Sequence, residues 1–63
     1  MKNETIIKNY IDHDNLAIQI RRAGGSAWVE NRDEGVIVIT NRSPRWVVKL
    51  CKSINFISPI IER

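Results

Sequence analysis

The chain has one cysteine, Cys51, so it can form neither an internal disulfide nor a cysteine-based zinc cluster. A lone thiol fits a reducing compartment. It has one histidine, His13, so catalysis by a histidine pair and a multi-histidine metal site are both excluded. Aromatics are few: Tyr10, Trp28, Trp46 and Phe56. No apolar run approaches the length needed to cross a bilayer, and the start Met-Lys-Asn-Glu-Thr is polar, with Lys8 and Asn9 soon after Ile6-Ile7. The expectation is a soluble, cytoplasmic protein without a signal peptide. There is no low-complexity tract and no internal repeat. Glycine-rich phosphate loops and dinucleotide fingerprints are missing too, because Gly24-Gly25-Ser26 lacks both their spacing and their lysine.

What remains is 63 residues, 43% hydrophobic and 27% charged, with a net charge of +3. That is too apolar for a disordered segment and enough for one small core. Residues 1–63 are therefore read as a single domain. A core of this size supplies roughly 3–5 kcal/mol, so self-association as a homodimer, or partner binding, is a natural supplement.

Along the chain, Asn3 can cap a short helix whose apolar side is Ile6, Ile7, Tyr10 and Ile11. The turn formers Asp12-His13-Asp14-Asn15 should end it. Leu16, Ile18 and Ile20 then alternate with Ala17, Gln19 and Arg21, the pattern of a strand with one covered face. A rival reading carries one helix through to Gly24. Ala27 to Asn31 and Val36 to Thr40 form a hairpin around Arg32-Asp33-Glu34-Gly35. Ser43 as N-cap and Pro44 at the first helical position start a helix with Trp46, Val47, Leu50, Cys51 and Ile54 on its apolar side and Asn55 at its end. The tail, residues 56–63, is apolar at Phe56, Ile57, Ile60 and Ile61, and Pro59 keeps it from being a regular helix. It reads as an extra strand or as a docking or dimerisation arm. The expected class is α+β: a three-stranded antiparallel β-meander against a C-terminal helix, with a short N-terminal helix, α-β-β-β-α.

Charge is unevenly placed. Residues 35–61 contain Arg42, Arg45, Lys49 and Lys52 and no acid. Their spacings of three, four and three line them up opposite the apolar side of the last helix. Arg42 and Arg45 sit where the helix dipole disfavours cations, so stability alone would not select them. With the Ser43 hydroxyl and the free N–H groups of the first turn they suggest a phosphate pocket. Arg21 and Arg22 extend the basic surface, and Trp28 is placed to stack on a base or to sit in an interface. A surface helix also needs a solvated face, which lysine and arginine provide without any ligand.

These features point to a non-enzymatic nucleic-acid-binding regulatory protein using Arg42, Ser43, Arg45, Lys49, Lys52, Arg21, Arg22 and Trp28, the type of nucleic acid being open. The alternative is a small inhibitor that covers a site on a larger protein with an acidic surface, docking through Phe56, Ile57, Ile60 and Ile61. No catalytic residue, cofactor, metal or membrane partner is expected. His13 between Asp12 and Asp14 reads as a surface turn, and Cys51 lies on an apolar helix face away from any base.

Overall fold

The computed structural model describes residues 4–55 and 57–62, which form a small α+β domain with a four-stranded antiparallel sheet and two helices. In chain order these are β1 (Thr5–Lys8), α1 (His13–Arg22), β2 (Ala27–Arg32), β3 (Gly35–Thr40), α2 (Pro44–Asn55) and β4 (Ile60–Glu62). The sheet order is β2-β3-β1-β4. Two split βαβ units thus interlock, the connectivity called ferredoxin-like.

Two expectations are overturned. The segment expected as an N-terminal helix is strand β1, and the segment expected as a strand from Leu16 is helix α1. Ile6, Ile7, Tyr10 and Ile11 fit either period, and so short an apolar run is not decided by periodicity alone. Thr5-Ile6-Ile7 is β-branched throughout, and as the strand between β3 and β4 it places Ile7 on one face of the sheet and Ile6 on the other. In α1 the buried residues are Leu16, Ala17 and Ile20, at helical spacing, while Ile18 turns outward and is 47% exposed. The α-β-β-β-α order is therefore β-α-β-β-α-β. The rival reading, one helix through to Gly24, had the right element for this segment but began it too early and ran past its end at Arg22.

The end of α1 explains the glycine pair. Gly24 adopts φ +95°, its N–H donates to Arg21 O and the Gly25 N–H donates to Ile20 O, which together make a Schellman cap. The hairpin is as expected, with Arg32 opposite Gly35. Gly35 has φ +134°, and a Cβ there would run into the Asn9 side-chain amide. Asn9, itself at φ +46°, donates its N–H to Val36 O and so ties the end of β1 to β3. Helix α2 starts as read from sequence: Ser43 Oγ accepts the Trp46 N–H at 3.3 Å, and the Ser43 carbonyl accepts the Val47 N–H.

Both helices cover one face of the sheet. Ile7, Val38 and Ala27 from the strands meet Leu16, Ala17 and Ile20 of α1 and Val47 and Cys51 of α2 in a single buried cluster, with Val29, Trp46, Leu50, Ile54 and Ile61 packed around it. The tail therefore belongs to the fold at Ile61, opposite Ile7, while Ile60 is 65% exposed. Phe56 lies outside the described residues. Tyr10 closes the lower end of the core: its hydroxyl donates to Asn55 Oδ1 at 2.6 Å, and the same oxygen accepts the Ile57 N–H. Asn55 thus both ends α2 and fixes the turn into the tail. No helix among the described residues is long and apolar enough to cross a membrane.

Candidate nucleic-acid interface

The chain's polarity puts the cations of the two helices at one end and on the outer side of the helix layer. Strand residues Thr5, Thr40 and Ala27 are paired in one row across the sheet. Helix α1 ends beside this row with Arg21 and Arg22, and α2 begins there after Arg42 and Ser43. Ser26 and Asn41 lock the two loops together: the Ser26 N–H donates to Asn41 Oδ1 at 3.0 Å, and the Asn41 N–H donates back to the Ser26 carbonyl. The fold thus joins two basic segments that lie about 20 residues apart in sequence.

The individual residues divide into structural and free groups. Arg21 is exposed, but its Nε donates to the Ala27 carbonyl at 2.9 Å and pins the loop after α1. Arg42 is more deeply tied in. Its N–H donates to Thr40 Oγ1, its carbonyl accepts from Thr5 Oγ1, and its side chain runs over Gly25 to set the guanidinium 5.2 Å above the Trp46 ring. Arg42 Nε is buried without a hydrogen-bond partner. The space over Gly24-Gly25 is therefore filled by Arg42 rather than left open for a phosphate. Arg22, Arg45, Lys49 and Lys52 are exposed, and the last three follow one another along the outer side of α2 at spacings of four and three.

The pocket expected at the start of α2 is smaller than the sequence suggests. Pro44 has no N–H, the Trp46 N–H is taken by Ser43 Oγ and the Val47 N–H by the Ser43 carbonyl. Of these first-turn donors only the Arg45 N–H is left to an outside acceptor, and Ser43 serves as a cap. The sequence pointed to both roles for Ser43, because a cap and an anion ligand use the same residue types, and the Trp46 N–H on its Oγ shows the cap.

None of Arg21, Arg22, Arg42, Arg45, Lys49 and Lys52 joins an ion pair among the described residues. The ion pairs lie elsewhere, at Lys8 and Arg32. Trp28 also lies elsewhere. Paired with Ile39 and thus in line with Ile6, it stands on the sheet face opposite the helices, 41% exposed. It does not flank the basic ridge. Ile57 and Ile60 of the tail are exposed near Ile11 and border a recess with Lys8, Asn9 and Tyr10.

Cys51 is fully buried, and burial pushes its thiol above the ordinary range, so it is not a ready nucleophile at neutral pH. Tyr10 is pushed up to about 12, first by burial and then by the Cys51 sulfur beside it. His13 opens α1 and Arg22 closes it, so the ten-residue helix holds them about 14 Å apart. No group of three or more histidine, cysteine, aspartate or glutamate side chains that could hold a metal occurs among the described residues.

Comparison with protein-family models, with curated proteins and with solved structures finds no match to this chain. The functional reading therefore rests on the geometry alone, since connectivity of this kind serves many unrelated activities.

Proposed function

We propose that the protein is a small non-enzymatic nucleic-acid-binding module that lays the outer side of its helix layer along a phosphate backbone. Arg45, Lys49 and Lys52 make the line of contacts and Arg22 extends it, while Arg42 braces the ridge through Trp46. The observation that carries this reading is the complete lack of ion pairing for these cations among the described residues, beside a stretch from 35 to 61 with no acid. Cations kept for structure would gain from neighbouring carboxylates, and a phosphate-binding surface is kept clear of them.

The test is titration of the full chain with duplex DNA, single-stranded DNA and RNA at two salt concentrations. Affinity should fall steeply with salt, and Lys49→Ala and Lys52→Ala should each reduce the log–log salt slope by about one. Salt-insensitive binding, or binding unchanged in the Arg45→Ala/Lys49→Ala variant, would overturn the reading.

A second reading, a protein-binding inhibitor of a larger acidic partner, is favoured by the exposure of Ile11, Ile57 and Ile60 around one recess. It predicts that Ile57→Ser with Ile60→Ser abolishes the activity while leaving the ridge and its salt response intact.

A further inference from the structure

The sheet face away from the helices has no described element over it. Its centre is the cross-strand row Trp28–Ile39–Ile6, with Ile37 in the next row and Ile60 at the β4 side. Ile37 and Ile39 are already buried between their neighbours, so what this face offers to a partner is the indole of Trp28 with Ile6 and Ile60. Around this centre the charges are mixed, both cations being bridged to carboxylates and Lys8 shared between two of them. Lys8 lies 3.4 Å from Glu62 and 3.8 Å from Glu34, and Arg32 lies 3.3 Å from Glu30.

We propose that this face docks onto the same face of a second copy of the chain, the two sheets packing back to back with the helices outward. Charge decides the occupant. A nucleic acid needs unpaired cations, and Lys8 and Arg32 are already bridged to carboxylates. A strongly acidic or basic protein would meet no excess of opposite charge. A two-fold contact requires a surface complementary to itself, and an apolar centre ringed by pairs of both signs meets that requirement, whereas the single-signed ridge on α2 would repel its own copy.

Sheets packed in this way lie about 10 Å apart, and the dimer would carry both basic ridges on its outer sides.

Sedimentation equilibrium of the full chain over a wide concentration range tests this directly. The expected mass rises to twice 7.3 kDa. Trp28→Glu should weaken dimerisation by roughly thirtyfold or more, as loss of a central tryptophan anchor does. Should that variant fail to fold, Ile60→Glu decides. Its side chain is largely in water, so the fold should survive, with an unchanged circular dichroism spectrum and an association about tenfold weaker. Lys49→Ala should leave the mass unchanged, which separates this test from that of the ridge. A wild-type mass of 7.3 kDa at every concentration, or a dimer indifferent to both substitutions, would overturn the proposal. So would a monomer whose Trp28 fluorescence is quenched by a single-stranded oligonucleotide, which would assign the face to bases instead.

Discussion

The two broad sides of this molecule solve the problem of surface charge in opposite ways. On the helix side, Arg22, Arg45, Lys49 and Lys52 are exposed and join no ion pair among the described residues. On the open sheet side, both Lys8 and Arg32 are bridged to glutamates around an apolar centre. The first surface has the field that attracts a polyanion and repels its own copy. The second is close to neutral and has hydrophobic area left to bury. The sheet keeps these demands apart because both helices, which carry the ridge, cover one of its faces, while the alternate strand residues form the other.

The largest effect comes from removing the core on which both sides are built. Leu16→Ala or Val47→Ala should cost about 2–5 kcal/mol, enough to unfold much of so small a domain, and urea denaturation would show it. Substitutions confined to either surface should fall well short of that.

Next in size is the pH response of the core's lower end. Tyr10 is raised in the folded chain to about 12, above its ordinary value near 10. Between those values the folded state holds the proton that the unfolded state has lost, so the protein releases stability as pH rises through this window. The stabilisation is complete below about pH 10 and should decline by roughly 2–3 kcal/mol toward pH 12. As the chain's one tyrosine, Tyr10 can be followed directly by phenolate absorbance, and titration near pH 10 in the folded protein would contradict the burial.

Arg45→Glu sharpens the contrast between stability and binding. An acid in the first turn of α2 complements the helix dipole, so thermal stability should rise by about 0.3–1 kcal/mol while nucleic-acid affinity falls. A loss on both counts would show that Arg45 supports the fold. The smallest effect is expected from Glu62→Gln on the open face. It removes one carboxylate from a partly exposed pair and should change stability by no more than about 0.5 kcal/mol.

Much of the second half of the chain was legible beforehand. Ser43-Pro44 starts α2, Asn55 ends it, and the hairpin turns at Gly35, because in each case the signal is local chemistry: a capping oxygen, a missing N–H, a backbone torsion that suits glycine. The first half was not. Residues 5–8 and 16–21 carry apolar patterns compatible with either period, and only the place waiting for β1 between β3 and β4 resolves them.

The candidate site divides in the same way. The amino-acid order alone determined that residues 35–61 hold four cations and no acid, and its spacing lined up all four; the structure keeps Arg45, Lys49 and Lys52 on α2 and leaves Arg42 before it. Only the tertiary structure decided that Trp28 faces away from them and that Arg42 is drawn over Gly25 onto Trp46. Helical periodicity is a property of neighbours in sequence. Which face a strand residue takes, and what fills the space over a glycine, depend on elements brought together from distant parts of the chain.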